Sequence, residues 1–222
     1  MPRPSLPSDS ATLAEFDRLY DAVIASGDGA PIDYQLSAPK WQFLSYLGDR
    51  KGILFHGSND GAIEEFEPRK ANDVDDFGDQ KAVYAASDPL WAMYFAILDN
   101  CFPIFKVNAA IRLALPYGPA SEPFYFFSVS RPIVEQRAFR SGALYLLPAG
   151  TFEQQPRFQA GEQEIISLQW RSFVPIRPLA RIPIDPEDFP FLSQIRGHDD
   201  TVLKERMQQD PGGFPWLPED EW

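Results

Sequence analysis

Proline limits the secondary structure of this chain more than any other residue type does. The 222 residues include 22 prolines, spread along the whole sequence, which is about twice the usual share of roughly 5%. Proline has no backbone N–H, and its ring blocks the preceding turn of a helix, so it ends helices and is rare in the middle of a sheet. We therefore expect short helices and many loops.

The charge of the chain disfavours two classes of partner. The formal net charge is −12, whereas nucleic acids and anionic membrane surfaces both attract basic patches. The N-terminus shows no apolar signal region, and no apolar run reaches the length of about 18 residues that a membrane span needs. We expect a cytoplasmic protein with no membrane partner. The single cysteine, Cys101, allows no internal disulfide, and we expect it to be a small buried side chain.

The order of helical and extended patterns predicts the fold class. Helical patterns cover residues 12–26, 38–50 and 87–100, and most of the later chain is extended. Early helices followed by late strands favour an α+β fold with antiparallel sheets. We divide the chain into an N-terminal helical extension, a core and a Pro-rich C-terminal tail packed on that core, with bounds at 1–49, 50–185 and 186–222.

Three stretches carry residue types that bind ligands or take part in catalysis. They are "LFHGS" at 54–58, "VYAASDPLWAMYFA" at 83–96 and "GEQEIISL" at 161–168. In this order and spacing they resemble the ADP-ribosyltransferase fold in its His-Tyr-Glu class, which includes the diphtheria-toxin-like and poly(ADP-ribose)-polymerase-like enzymes. The resemblance covers about residues 50–185. It implies a core of two packed, mainly antiparallel β-sheets with short helices.

The resemblance assigns NAD-binding roles near the first stretch. It implies that His56 bonds to the adenosine ribose, and that the backbone of Gly57 bonds to the nicotinamide carboxamide, which a residue without Cβ lets approach closely. Ser58 would bond to the same amide. Arg69 would reach the diphosphate through charge-assisted hydrogen bonds. Without the resemblance, a histidine at position 56 is typical of a strand end that faces a turn, and an arginine at position 69 is typical of the protein surface.

The resemblance places the chemistry at two tyrosines and a carboxylate. Tyr84 and Tyr94 would flank the nicotinamide ring, because phenols stack on an electron-poor pyridinium. Phe95 is the alternative for the second face, and both tyrosines would otherwise be core aromatics. Glu164 would be the catalytic carboxylate, which stabilises positive charge on the ribose as nicotinamide leaves. Glu162 is the alternative acid, since it shares a face with Glu164 if both lie in one strand.

The function that follows is NAD-dependent transfer of ADP-ribose to an acceptor, with release of nicotinamide. The acidity of the chain favours a protein or small-molecule acceptor over a nucleic acid. Three alternatives stay open: a catalytically silent binding module of the same fold, an NAD-dependent RNA 2′-phosphotransferase, and an unrelated α+β domain. We predict no metal site, because the only two histidines, His56 and His198, lie far apart in sequence, and we expect His198 at the surface.

Overall fold

A computed structural model gives the fold and describes residues 1–27, 29–70, 76–102 and 104–217. Within these ranges the chain forms five α-helices, which are α1 (Ser10–Ser26), α2 (Lys40–Lys51), α3 (Pro89–Ile97), α4 (Arg131–Glu135) and α5 (Asp200–Gln209). The longest has 17 residues. No helix in the described ranges has the length and apolar character that crossing a membrane requires. The prediction of short helices is confirmed.

The described strands build two β-sheets. Their bounds are β1 (Leu54–Ser58), β2 (Arg69–Lys70), β3 (Lys81–Ala86), β4 (Lys106–Leu113), β5 (Phe124–Ser130), β6 (Gly142–Leu147), β7 (Glu153–Gln154), β8 (Phe158–Ala160), β9 (Gln163–Ser167), β10 (Gln169–Ser172), β11 (Ala180–Ile184) and β12 (Arg196–His198). Sheet 1 has seven strands in the order β11-β6-β1-β3-β10-β7, with β2 also paired to β3. Sheet 2 has five strands in the order β12-β5-β4-β9-β8.

The pairing is antiparallel throughout the described strands, with one exception. The exception is β12, which runs parallel to β5 at the edge of sheet 2. The structure therefore confirms an α+β fold with two mainly antiparallel sheets and short helices. Neither β12 nor α5 was predicted, although Asp199 is a helix N-cap that accepts from the N–H groups of Thr201 and Val202.

Helix α3 lies directly on sheet 1 at two glycines. A Cβ on Gly57 would stand 1.8 Å from the carbonyl oxygen of Ala92, and a Cβ on Gly142 would stand 2.1 Å from that of Ala96. No side chain fits at either position, so the helix backbone rests on β1 and β6. The helix is capped by Asp88, whose carboxylate accepts from backbone N–H groups of its first turn.

The main core joins all three predicted segments of the chain. It is formed by buried apolar side chains from the N-terminal helices, from α3, from both sheets and from the residues after 185, including Phe16, Leu44, Tyr94, Phe127, Ile182 and Phe189. A second, smaller cluster contains Phe66, Val83 and Tyr145. Helix α2 begins at Lys40, two residues later than predicted, and ends at Lys51, where Gly52 with its φ of +67° forms the C-cap.

Candidate functional site

The strands β1 and β3 separate just after they meet. Their register contains a single pair, Phe55 opposite Ala86. At the next residue of β1 the imidazole of His56 bonds to β3 instead, with Nδ1 2.7 Å from the carbonyl oxygen of Tyr84. Because a carbonyl oxygen only accepts, Nδ1 must carry the proton. A neutral His56 therefore presents Nε2 as a hydrogen-bond acceptor.

The surroundings of His56 keep its ring neutral. The ring is partly buried and packs on Phe66, with centroids 4.6 Å apart. Burial lowers the pKa of His56 below its usual 6.5, and the nearby charge of Arg69 lowers it further, while the bond to the Tyr84 carbonyl opposes both effects. At neutral pH this histidine is an uncharged hydrogen-bonding group.

Arg69 is the cationic group of this region. It lies in β2, its side chain is exposed, and no described carboxylate forms an ion pair with it. The pairing of β2 with β3 puts Arg69 opposite Ala82, two residues before Tyr84. An exposed guanidinium in a chain of net charge −12 leaves a local positive spot beside a neutral histidine.

The turn after β1 is held by contacts within the protein. The Ser58 hydroxyl accepts from the N–H of Asp60 at 3.1 Å. The Asn59 amide donates to the carbonyl of Ala96 at 2.7 Å, and its oxygen accepts from the N–H of Asn100 at 3.1 Å. These bonds fasten the turn to the end of α3. They fix where Ser58 lies without any ligand.

Glycine is needed at position 57 for a structural reason that the sequence did not reveal. The resemblance explains this glycine by the close approach of a ligand, but the space that its Cβ would fill is occupied by the backbone of α3 at Ala92. Gly57 also lies opposite Leu144 in the pairing of β1 with β6. Helix packing alone therefore requires glycine here. A backbone contact to a ligand stays a prediction.

Tyr84 is partly buried and closes a loop. Its hydroxyl accepts from the N–H of Gln80 at 2.8 Å and lies 3.1 Å from the carbonyl oxygens of Phe77 and Gln80. Arg171, opposite Tyr84 in β10, donates to the same Phe77 carbonyl at 3.1 Å and stacks on the Phe77 ring at 3.9 Å. Tyr84 is thus tied at its backbone to His56 and at its hydroxyl to the loop at 77–80.

The prediction that Tyr94 flanks a ligand ring is wrong for this structure. Tyr94 has 0% exposure, and its hydroxyl donates to the carbonyl of Ser128 at 2.9 Å. Its ring packs on Phe127 at 4.7 Å, so no ligand reaches either face. Phe95, the alternative, is only partly buried, and the Lys106 ammonium lies 5.8 Å from its ring centroid. Phe95 is therefore the accessible aromatic of the pair.

Glu164 lies in β9 of sheet 2, apart from His56 and Tyr84 in sheet 1. Its carboxylate accepts from Arg157 Nη1 at 3.0 Å, and both side chains are well exposed. The prediction that Glu162 shares its strand face is wrong, because Glu162 lies in the tight turn between Ala160 and Gln163. Gly161 has the φ of +61° that this turn needs.

One segment connects the two parts of the candidate site. The chain passes from β9 in sheet 2 to β10 in sheet 1 at Leu168, whose N–H donates to Ala110 and whose carbonyl accepts from Ser87. At about 3.3 Å per residue, an extended chain from Glu164 to Arg171 spans about 23 Å. The described contacts join His56 to Tyr84, and the strand register places Arg69 opposite Ala82, two residues before Tyr84. None of these contacts joins Glu164 to this group.

Two cavities of the described part of the molecule lie away from the predicted site residues. One of about 320 Å³ is lined by Met1 and residues 193–196. Another of about 80 Å³ is lined by residues that include Arg131, His198 and Trp216. Neither cavity is lined by a predicted site residue.

Two further expectations are wrong. His198 is buried, with 1% exposure, and its Nδ1 lies 2.6 Å from the Ser128 hydroxyl. Cys101 is exposed rather than buried. The signal that the sequence offered for His198 was the pair of aspartates that follows it, since the first of them caps α5 and places the histidine at the junction of a strand and a helix.

Comparison with known proteins adds no assignment, because no protein-family model, curated protein or solved structure matches this chain. The functional interpretation therefore rests on the residues of this chain and on the resemblance that its three motif stretches carry.

Proposed function

We propose that this protein is an NAD-dependent ADP-ribosyltransferase that transfers ADP-ribose to a protein or small-molecule acceptor. The observation that supports the proposal best is the separation of β1 from β3 at His56 and Tyr84. A strand that leaves its neighbour can offer backbone N–H and C=O groups to a planar amide such as nicotinamide. The two residues at the separation are those that the motif requires.

The state of His56 supports a contact with a ribose. Its Nδ1–H is held by the Tyr84 carbonyl, and the neutral ring leaves Nε2 as an acceptor. A ribose hydroxyl is a suitable donor to such a nitrogen. Arg69 is an exposed cation in the neighbouring strand β2. It is suited to the diphosphate that follows the ribose, because a guanidinium bonds phosphate through two parallel N–H groups.

The stacking role passes from Tyr94 to Phe95. In the proposal Tyr84 and Phe95 contact the nicotinamide ring, since both keep some exposed surface, whereas Tyr94 keeps none. Phe95 lies on α3, whose position on β1 is fixed at Gly57. The close contact of helix and strand would then set the distance between the two rings.

The proposed reaction breaks the bond between nicotinamide nitrogen and ribose C1′, and the electron pair leaves with nicotinamide. The ribose becomes cation-like, and an acceptor nucleophile bonds to C1′ and loses its proton. Glu164 would stabilise the cation. Its exposed ion pair with Arg157 is worth only about 0–1 kcal/mol, whereas one well-placed electrostatic contact supplies about 3 kcal/mol to a transition state. Breaking the pair therefore costs less than the new contact gives.

Glu164→Gln tests the proposal. This change keeps the shape and removes the charge, so NAD should bind nearly normally by calorimetry while nicotinamide release falls about a hundredfold or more. Glu162→Gln is the matched control and should leave release unchanged. His56→Ala should instead weaken NAD binding, by about 1–2 kcal/mol.

Two outcomes would overturn the proposal in different ways. If neither NAD nor the nicotinamide mimic 3-aminobenzamide binds at millimolar concentration, the resemblance is coincidental. If NAD binds but no nicotinamide is released with any protein or small-molecule acceptor, the protein is a silent binding module. That alternative has its own support, because Glu164 lies in sheet 2, where it pairs with Arg157, whereas His56 and Tyr84 lie in sheet 1.

A further inference from the structure

A lysine without a counter-charge lies where α3 meets sheet 2. Lys106 begins β4, and its side chain is partly buried. Its ammonium lies 5.8 Å from the ring centroid of Phe95, and no carboxylate of the described residues forms an ion pair with it. By contrast, Lys40, Lys51 and Lys70 each contact an aspartate at 2.7–2.8 Å. The charge of Lys106 is therefore unbalanced within the described part of the protein.

Burial of this ammonium is unfavourable. It lowers the pKa of Lys106 below its usual 10.5, and no neighbouring charge opposes the effect. The pKa of Lys51 is raised instead, because the Asp17 carboxylate accepts from it. The ring of Phe95 compensates Lys106 only in part, since the ammonium lies near the limit of about 6 Å for attraction to an aromatic face. An anion at the ammonium would supply the missing partner.

Three more side chains lie along the same junction. Trp91 and Phe95 are one turn apart in α3, and of the residues of this helix these two alone are not buried. The indole N–H of Trp91 donates to Asn108 Oδ1 at 2.6 Å. Asn108 and Lys106 are two positions apart in β4, so their side chains share a face of the strand. We call these four residues the α3–β4 surface.

The α3–β4 surface combines groups that suit one kind of ligand. Its two aromatic side chains offer a face on which a flat ring can stack. The oxygen of Asn108 is taken by Trp91, and no described residue accepts from its NH₂ group, so Asn108 and Lys106 both remain donors. A ring stacked on Phe95 would stand about 4.5–7 Å from its centroid, and the ammonium lies in that range. A substituent of such a ring can therefore meet the ammonium.

We propose that the α3–β4 surface binds a small aromatic anion, whose ring stacks on Phe95 and whose carboxylate or phosphate group accepts from Lys106. The inference goes beyond the proposed transfer reaction and does not require NAD to bind. Because Phe95 serves both sites, the anion would compete with a nicotinamide ring. The overall charge of −12 repels anions, so a preference for an anionic ligand has to come from local groups.

Two ligands of the same shape test the proposal. Benzoate and benzamide differ in charge but not in the ring, and phenyl phosphate supplies the other anionic group. Each is titrated into the full chain while the indole N–H signals are followed by NMR, in which Trp91→Phe identifies the Trp91 signal by its loss. Benzoate and phenyl phosphate should shift this signal and bind about tenfold more tightly than benzamide, because charge-assisted hydrogen bonds are about twice as strong as neutral ones.

Variants separate the charge from the ring. Lys106→Met should remove the preference for benzoate over benzamide, and Lys106→Arg should keep it. Lys204→Met is the matched control, because the Lys204 ammonium also lies near a phenylalanine, 5.1 Å from the ring centroid of Phe105, but outside the α3–β4 surface. It should leave all three affinities unchanged. Phe95→Leu should weaken binding of all three ligands.

Several results would overturn the aromatic-anion site. One is equal affinity for benzoate and benzamide in the wild type, a comparison that needs no variant to fold. Another is a loss of benzoate binding in Lys204→Met as large as in Lys106→Met. A third is inorganic phosphate binding as tightly as phenyl phosphate, since the ring would then contribute nothing. A protein that binds benzamide but neither anion at millimolar concentration would exclude this site and leave the proposed NAD site standing.

Discussion

The two histidines of this protein are built into its sheets in opposite ways. His56 lies where two strands separate, and its ring bonds to a backbone carbonyl in place of the next ladder pair. His198 lies in a strand that pairs along its full length, and its ring bonds to a side-chain hydroxyl. Both rings are uncharged at neutral pH, because burial lowers both pKa values. The two rings differ in the neighbours of their second nitrogen: among the described residues His56 Nε2 has no hydrogen-bond partner, whereas His198 Nε2 lies 3.5 Å from Asp200 Oδ1.

That difference determines which of the two histidines can contact a ligand. At His56 an opened strand pair can supply backbone donors and acceptors, which suit the amide and hydroxyl groups of a nucleotide. At His198 the backbone is already paired, and both ring nitrogens lie beside side chains of the protein itself, Ser128 and Asp200. One histidine is therefore open to a ligand and the other is held within the fold, and the state of the neighbouring backbone decides between them.

The largest expected effect comes from the glycines next to these histidines. Gly57→Ala would place a Cβ 1.8 Å from a backbone oxygen of α3, which only displacement of the helix can relieve. We expect a loss of at least about 3 kcal/mol in the free energy of unfolding. Gly197→Ala would bring its Cβ 3.0 Å from the Cα of Arg131, and we expect about 1 kcal/mol. Guanidinium unfolding of the three proteins measures both.

Gly150→Ala is the control, because a Cβ there would meet nothing within 4 Å. It should change stability by no more than about 0.5 kcal/mol. If Gly57→Ala proves as mild as Gly197→Ala, then α3 does not rest on β1 as described. In that case the proposed site would also lack a fixed distance between the rings of Tyr84 and Phe95.

Much of the fold could be predicted from local patterns. The α3 cap at Asp88 and the strands β1, β3 and β5 follow from side-chain types over a few residues. The edge strand β12 has only three residues and its partner lies about 70 positions away, so no local pattern reveals it. The acidic stretch "KANDVDDFGDQ" at 70–80 predicts a loop, and its residues 71–75 lie outside the described residues.

The candidate site could be predicted only in part. A sequence shows that a tyrosine lies on a helix, but not on which side the core forms, and Tyr94 differs from Phe95 in that respect alone. The alternation that paired Glu162 with Glu164 holds only within a strand, and a tight turn ends it at Gly161. His198 was misjudged because burial of a polar group depends on distant partners such as Ser128.

A smaller effect concerns the pH dependence of stability. Both histidines have pKa values below 6.5 in the folded protein, so the unfolded chain takes up their protons first as the pH falls. Stability is therefore fully present above about pH 6.5 and is lost as the pH falls towards the folded pKa values. His56→Gln and His198→Gln should each flatten this slope, by up to about 1.4 kcal/mol per pH unit.

The measurement is guanidinium unfolding between pH 7 and 5 in the presence of a chelator. Only differences between wild type and variants are informative, because the buried carboxyl of Asp88 has a raised pKa and acts in the opposite direction. If neither variant flattens the slope, burial does not lower the pKa of either histidine.

The last comparison separates the tyrosines that accompany the two histidines. The Tyr94 hydroxyl donates to the carbonyl of Ser128, the residue whose side chain holds His198, and the bond is fully buried. Tyr94→Phe leaves that carbonyl without its donor, so we expect a loss of about 1–2 kcal/mol in unfolding free energy and no change in NAD binding. Tyr84→Phe removes bonds from a partly exposed hydroxyl that water can replace, so about 0.5 kcal/mol is expected. Calorimetry with NAD supplies the second readout, in which Phe95→Ala should weaken binding and Tyr94→Phe should not. If Tyr94→Phe weakened NAD binding while Phe95→Ala did not, the buried ring would be the stacking partner, and α3 would have to turn to expose it.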